Sequence, residues 1–248
     1  MPKFFIDKNQ IDGEYITIVG EDSHHISRSL RMAVGEKITV SDNDKYEYDC
    51  VLEDFSGGCV KAKITSKYIS KAEPDVKVHL FQALPKGEKL DLIIQKAVEC
   101  GVYDITTFES ERCIVKVKGD SESRKTDRRN KIALEAAKQC GRGIIPQVNP
   151  TLTFEEMLKK ASESDAALFC YEGDGTKPLG IVLKELRNTK GINDISIIIG
   201  SEGGFAPCEV ERAVALGCHK IGLGKRILRT ETAAIMALSC IVYEFELS

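Results

Sequence analysis

Two glycine-rich segments in the C-terminal half of the chain carry the residue types best suited to bind a ligand. GSEGGFAP begins at Gly200 and GLGKRILRTETA begins at Gly222; a third segment, YEGDGTKP, begins at Tyr171. Glycine lets backbone amides and carbonyls approach a ligand closely, because no Cβ stands in the way. Each segment follows an apolar run typical of a buried strand, and parallel sheets bind ligands beyond the carboxyl ends of their strands. The three segments therefore predict a binding site at one edge of a sheet.

The familiar nucleotide and metal motifs do not fit these segments. No GxxxxGK[ST] sequence is present, and Gly222-Leu223-Gly224 lacks the third glycine of the dinucleotide-binding pattern. No two of the nine cysteines are separated by fewer than nine positions, which excludes the CxxC spacing of common zinc and redox sites. A phosphate-binding loop and a nicotinamide site are therefore disfavoured, and the cysteines are expected to be reduced thiols.

The predicted strands and helices fall into two parts along the chain. Short, partly alternating apolar runs predict a small β-barrel, with a helical turn capped by Ser23 between its strands; the runs are residues 4–6, 15–19, 37–40, 48–52 and 60–64. SKAEPD at residues 70–75 is predicted to be a linker.

From Val76 onward, strands and helices alternate, which is typical of an α/β layer fold. Strands are predicted at 78–84, 166–171, 195–199 and 218–223, and helices at 88–100, around 128–140, from Pro207 to Gly217, and at 231–246. Thr153 to Glu156 form a capping-box sequence. Because the strands are apolar on both faces, they predict a parallel sheet covered on both sides. His79 lies inside such a strand and is expected to be a structural histidine with satisfied hydrogen bonds.

Charge is unevenly distributed along a chain whose formal net charge is −3. Residues 110–142 contain ten Lys or Arg, including Lys118, against five acidic residues. A local excess of this size can bind a polyanion such as RNA, or it can form the solvated face of a helix. Both interpretations stay open on charge alone.

Five stretches together resemble a known family. GSEGGFAPCEVERAV at 200–214 and LGKRILRTETA at 223–233 resemble the paired motifs of SPOUT methyltransferases, and more closely those of the ribosomal RNA small subunit methyltransferase E (RsmE) family. HHISRSLRMAVGE at 24–36, KGEKLDLIIQKAVECGV at 86–102 and EAAKQCGRGIIPQV at 135–148 agree with it. Ser201 stands where the family commonly has proline, which bears on the rigidity of the loop.

The resemblance implies a PUA-like β-barrel RNA-binding domain at residues 1–72 and a SPOUT α/β domain with a deep C-terminal trefoil knot at 73–248. It also implies S-adenosylmethionine as methyl donor, no metal, a homodimer, and N3 of a specific uridine in 16S ribosomal RNA, within the assembled 30S subunit, as methyl acceptor. With neither a secretory signal nor a membrane-spanning apolar run apparent in the sequence, a cytoplasmic protein is expected.

The family's site residues map onto this sequence. The resemblance implies that the donor contacts Glu172, Gly200, Glu202, Gly203, Gly204, Ile221, Leu223, Gly224, Leu228 and Thr230. Arg229 and Glu231 are the expected catalytic residues. Arg229 can stabilise a uridine imide anion, or it can brace the loop by pairing with Glu231. Glu231 can act as a general base, or it can cap the final helix. Thr230 can also cap the final helix. RNA contacts are expected from His25, Arg28, Arg31, Arg112, Lys116, Arg124 and Arg142.

Other functions remain as alternatives. A different SPOUT activity, such as ribose 2′-O or transfer-RNA base methylation, would use the same donor site. A non-catalytic RNA-binding assembly factor would not need the donor, although the intact LGKRILRTETA sequence disfavours it. A Rossmann-type dehydrogenase is the most distant alternative.

Overall fold

The computed structural model describes residues 1–116 and 122–248, and these residues divide into two compact units. The first unit contains residues 1–73 and 137–145, and the second contains 74–136 and 146–248. Relative to the boundary predicted after residue 72, the division adds Glu73 and the segment 137–145 to the first unit. Lys118, part of the basic stretch, lies outside the described residues.

The first unit is built on one mixed sheet. Its strands follow the order β1-β4-β5-β6-β3-β2, in which β1 and β4 are parallel and all other neighbours are antiparallel. Within the described residues β1 and β2 form the two edges, so the hydrogen-bonded ladder does not close on itself. The alternating apolar side chains form a buried core, as the pattern predicts. The strands are β1 (Lys3–Phe5), β2 (Ile11–Asp12), β3 (Tyr15–Ile18), β4 (Lys37–Ser41), β5 (Tyr46–Asp54) and β6 (Val60–Ile69).

The helical turn predicted in this unit begins earlier than expected. Helix α1 spans Gly20–His24 and continues into a π-helical turn over His25–Ser29. Ser23 therefore lies inside the helix and does not cap it. Its hydroxyl lies 2.8 Å from the Gly58 carbonyl and 3.2 Å from the Gly20 carbonyl, so it is directed at carbonyl oxygens, and neither helical turn has a side-chain cap.

The second unit contains a parallel sheet, as predicted. In the described part of the chain its strands follow the order β11-β13-β10-β12-β7-β8-β9, and every neighbouring pair is parallel. The central strands β10 and β12 are almost completely buried. The strands are β7 (Lys77–Ala83), β8 (Asp104–Glu109), β9 (Gln147–Thr153), β10 (Ala166–Cys170), β11 (Lys177–Pro178), β12 (Asp194–Ile199) and β13 (His219–Gly222).

The helices that follow these strands begin and end for identifiable reasons. After α2, Gly101 adopts the left-handed conformation (φ +80°) that ends many helices. At the start of α4, the Thr153 amide donates to Glu156 Oε2 at 2.8 Å and the Glu156 amide donates to Thr153 Oγ1 at 3.3 Å, which confirms the capping box. Pro207 begins α6, as predicted. The helices are α2 (Lys89–Glu99), α3 (Glu122–Cys140), α4 (Phe154–Ala161), α5 (Leu179–Arg187), α6 (Pro207–Ala215) and α7 (Thr230–Val242).

His79 is a half-buried histidine with a partner on each ring nitrogen. Nδ1 lies 3.0 Å from Asp104 Oδ1 and Nε2 lies 3.2 Å from Asp194 Oδ1, which satisfies the side chain as expected for a structural histidine. Burial by itself lowers the pKa of His79, but the hydrogen bonds and charges of the two carboxylates outweigh it and raise the pKa above its ordinary value.

No helix in the described ranges combines the length and apolar character needed to cross a bilayer.

Candidate active site

A cleft of about 350 Å³ opens beyond the carboxyl ends of β10, β12 and β13. Its lining comes from three segments, within residues 170–176, 199–205 and 222–233, which overlap the three glycine-rich sequences. The cleft lies within the second unit. Both its volume and its position at the ends of parallel strands are typical of small-molecule sites.

Most of the residues predicted to bind a ligand line this cleft. Gly203 and Ile221 do not: Ile221 is buried within β13, and a Cβ on Gly203 would lie 3.0 Å from the Cβ of Arg112. Arg112 also donates to the Gly203 carbonyl at 3.2 Å, so this glycine is turned away from the cleft. The predicted residues that line it are Glu172, Gly200, Glu202, Gly204, Leu223, Gly224, Leu228, Thr230 and Arg229.

The cleft also contains residues that sequence reasoning missed. Tyr171, Ser201, Phe205 and Ile227 belong to the same segments as the predicted residues, so their position in the sequence was the available signal. Ser201 is the most informative, because its hydroxyl is buried and has no hydrogen-bond partner in the described part of the chain. An unsatisfied buried hydroxyl beside a cleft is suited to a ligand's polar group.

The loop after β12 is held in one conformation by close contacts. The Gly204 amide donates to the Ser201 carbonyl at 3.0 Å, and Gly204 has the left-handed φ of +64° that favours glycine. A Cβ on Gly204 would lie 2.5 Å from Oε1 of Glu172, so the absent side chain makes room for that carboxylate. Phe205 packs against Phe169, with ring centroids 4.2 Å apart, and anchors the loop on the sheet.

The second loop is tied to the first by a side chain. Thr230 is the first residue of α7, and its Oγ1 donates to the Gly200 carbonyl at 2.6 Å. The N-cap position belongs to Arg229, which makes no side-chain cap. The expectation that Thr230 or Glu231 caps the helix is therefore wrong, because the Thr230 hydroxyl is used between the two loops and Glu231 lies in the first turn.

Charged groups form a network beside the cleft. Lys89 Nζ lies 2.7 Å from Glu202 Oε1 and 3.6 Å from Glu231 Oε2. Burial raises the pKa of Glu202, but the hydrogen bond from Lys89, together with backbone amides, lowers it below its ordinary value. The hydrogen bond to Glu202 raises the pKa of Lys89. Lys89 was not predicted as a site residue, although it lies in the KGEKLD segment of the resemblance.

The two predicted catalytic residues occupy different places. Arg229 is exposed and lines the cleft. Glu231 is not among the lining residues, and its Oε2 is buried next to Lys89. In residues 1–116 and 122–248 Glu231 pairs with Lys89, and the expected Arg229–Glu231 ion pair is not formed. This geometry favours Arg229, and not Glu231, as the group that faces a ligand.

Cys170, at the end of β10, also lines the cleft. Burial raises the pKa of its thiol far above the ordinary value, so the group stays protonated. Over the ranges that the structure describes, no three His, Cys, Asp or Glu side chains converge as a metal site would require.

The residues predicted to contact RNA divide into exposed and buried sets. Arg142 is buried: its guanidinium bonds to Glu73 at 2.6 Å, and Glu73 also accepts from the amides of Gly143 and Ile144. The charge of Arg142 is therefore neutralised by Glu73 inside the first unit. In the second unit Lys116 is exposed but partly engaged by the Ser110 carbonyl, at 3.2 Å. The exposed residues are His25, Arg28 and Arg31 in the first unit and Arg112, Lys116 and Arg124 in the second.

Comparisons with known proteins agree with this arrangement of two units. Residues 72–242 match the model of an RNA methyltransferase domain, and residues 18–65 match that of an RNA methyltransferase PUA domain. The chain is 35% identical over 254 aligned residues to ribosomal RNA small subunit methyltransferase E of Bacillus subtilis, covering 100% of this chain and 98% of the relative. The chain belongs to the ribosomal RNA small subunit methyltransferase E family.

Further members of the family resemble the chain over nearly its full length. The methyltransferase E of Mesomycoplasma hyopneumoniae is 34% identical, covering 96% of this chain and 98% of the relative. A crystal structure of the methyltransferase E of Neisseria gonorrhoeae bound to S-adenosyl methionine superimposes with a TM-score of 0.84 at 29% identity, covering 98% and 97% of the two chains. The fold is thus an α/β domain with a parallel sheet, preceded by a PUA-like domain.

Proposed function

We propose that this chain transfers a methyl group from S-adenosylmethionine to N3 of a uridine in small-subunit ribosomal RNA. The observation that carries the proposal is the cleft formed by the two glycine-rich loops at the ends of β10, β12 and β13. Family membership supports RNA as the substrate class, and a relative with the same fold has been solved with S-adenosyl methionine bound.

The residues of the cleft fit such a donor. Gly204 and Gly224 have φ values of +64° and +106°, so two loop glycines leave the backbone accessible to a ligand. The buried Ser201 hydroxyl offers an unused hydrogen-bonding group, and Glu172 is a carboxylate suited to a ribose or an ammonium group. Leu223 and Leu228 add apolar surface to the lining.

The chemistry requires one bond to form and one to break. The bound donor supplies an electrophilic methyl group on a sulfonium; the N3–C bond forms as the S–C bond breaks, and N3 gives up its proton. Arg229 presents a guanidinium fork to the cleft and can stabilise the imide anion through its donors. Because Glu231 is held beside Lys89 and outside the cleft lining, we infer that the N3 proton passes to water and not to this carboxylate.

The exposed basic residues of each unit are the proposed RNA contacts. His25, Arg28 and Arg31 serve the PUA-like unit, and Arg112, Lys116 and Arg124 serve the methyltransferase unit. Arg142 is not included, because its charge is already neutralised by Glu73.

Three finer features belong to this proposal on the strength of the motif resemblance. They are a trefoil knot in the C-terminal segment that carries the cleft, a homodimer, and action in the cytoplasm on the assembled 30S subunit. Sedimentation of the purified chain tests the dimer: a single species of about 27 kDa, the 27.4 kDa mass of one chain, would contradict it.

A labelling experiment tests the reaction itself. The chain is incubated with isotope-labelled S-adenosylmethionine and small subunits from a strain that lacks the modification, and the labelled nucleoside is identified by mass spectrometry. We expect 3-methyluridine; a 2′-O-methylated nucleoside, or transfer to transfer RNA alone, would support another activity of the same superfamily. An Arg229→Met variant that still binds the donor is expected to lose transfer. Absence of donor binding by the unmodified chain would instead favour an assembly factor.

A further inference from the structure

Gln82 is a fully buried polar side chain close to the carboxyl end of β7. In the sheet it lies directly beside Ile199 of β12, the residue before Gly200. Its Nε2 donates to the Ala83 carbonyl and to Thr230 Oγ1, each at 2.9 Å, and lies 3.5 Å from the Gly200 carbonyl. The side chain does not line the cleft, but it contacts both loops that do.

Gln82, Thr230 and Gly200 are joined pairwise by polar contacts. Thr230 Oγ1 accepts from Gln82 and donates to the Gly200 carbonyl at 2.6 Å. A hydroxyl has a single proton, so acceptance from the amide directs that proton to Gly200. Gln82 therefore fixes the orientation of the hydroxyl that joins the loop after β12 to the start of α7.

Fold stability alone does not favour glutamine at this position. Oε1 of Gln82 is buried and has no hydrogen-bond partner among the residues that the structure describes. Leaving a buried acceptor unsatisfied costs free energy, and this cost offsets much of what the two hydrogen bonds donated by Nε2 contribute to stability. Destabilising polar groups of this kind are retained where a site needs a fixed geometry.

We propose that Gln82 is a positioning residue for the methyl-donor cleft, holding Gly200 and Thr230 at the separation that donor binding requires. The inference rests on the proposed function of the cleft. Without the amide, the Thr230 hydroxyl can rotate away from Gly200, and both loops gain freedom that binding must then remove. Gln82 thus acts on the donor through two residues that line the cleft, without touching the donor itself.

The variant Gln82→Met tests this, with Thr107→Val as the matched control. Thr107 is also buried, lies beside Gln82 on β8, and bonds to Thr151 at 2.7 Å, but neither threonine lines the cleft. Calorimetry measures the dissociation constant of S-adenosylmethionine, and thermal unfolding measures stability. We expect Gln82→Met to weaken donor binding about tenfold while lowering the unfolding midpoint no more than Thr107→Val does, because the lost hydrogen bonds are offset by removal of the unsatisfied Oε1. Thr107→Val should lower the midpoint and leave donor binding unchanged.

A double-mutant cycle with Thr230→Val gives a second, independent readout. Because both side chains act through the same hydrogen bonds, Gln82→Met should cost far less affinity in the Thr230→Val background than in the unmodified chain. Additive losses, or a Gln82→Met dissociation constant within twofold of the unmodified chain's, would overturn the inference while leaving the proposed function intact. If the unmodified chain does not bind the donor, the proposed function fails and this inference fails with it.

Discussion

Replacement of Gly204 by alanine should separate backbone strain from damage to the cleft. Gly204 has a φ of +64°, a region where an L-residue is disfavoured by roughly 1–2 kcal/mol. The reduced freedom of the unfolded chain offsets about 0.4–1 kcal/mol of this. The net loss of about 1 kcal/mol should lower the unfolding midpoint by about 2–4 °C.

The same substitution also meets Glu172. The new Cβ would lie 2.5 Å from Oε1, and since side-chain Cβ contacts below 3.0 Å essentially do not occur, the carboxylate must move by at least about 0.5 Å. If Glu172 holds the donor through a charged hydrogen bond worth about 1.5–3 kcal/mol, its loss weakens binding by about tenfold to a hundredfold.

Gly217→Ala is the matched control. Gly217 has a φ of +85°, and a Cβ there would meet no atom within 4 Å, so this variant carries the strain without the collision. Calorimetric titration with S-adenosylmethionine should show weakened binding only for Gly204→Ala, while thermal unfolding should show similar losses for both. Equal donor affinities in the two variants would refute the role given to Glu172.

Further predictions concern charge. Lys89→Met should raise the pKa of Glu202 back toward its ordinary value, because the hydrogen bond from Lys89 is lost. In calorimetric titrations, the loss of S-adenosylmethionine affinity at acidic pH should therefore begin at a higher pH than in the unmodified chain. The contribution of protonated His79 to the free energy of unfolding is fully present below its ordinary pKa of 6.5 and is lost as the pH rises through the raised pKa of the folded state. Urea unfolding between pH 5.5 and 8.5 should therefore show a free energy of unfolding that falls with pH, and this fall should be absent in His79→Gln. Arg31→Ala should reduce the salt slope of RNA binding by about 0.7–0.9 without changing donor affinity. Arg142→Met should leave that slope unchanged and cost about 3 kcal/mol of stability in urea unfolding.

The sequence predicted where the cleft lies better than which side chains enter it. The glycine-rich segments follow buried strands, and parallel strands bring their carboxyl ends together, so the general location followed from order along the chain. Orientation within a loop depends on local backbone angles and on tertiary neighbours. Gly203 faces Arg112, and Glu231 pairs with Lys89, which is far away in the sequence.

The elements that were missed lack a clean apolar pattern. In β8, the buried positions include Thr106 and Thr107, whose polar side chains interrupt the apolar run expected of a central strand. Helix α5 begins after Pro178 and contains Gly180, which weakens its helical signal. Arg142 belongs to the basic stretch, but it is paired inside the protein with Glu73, which is distant in the sequence. The pattern of charges along the stretch does not show which of its basic residues are paired in this way.

The burial of the Cys170 thiol affects its reactivity toward the methyl donor. A sulfonium methyl group alkylates thiolates readily, and Cys170 lines the proposed donor cleft, where a thiolate would be a competing acceptor. Because burial keeps Cys170 as the far less nucleophilic thiol, self-methylation there is suppressed at physiological pH.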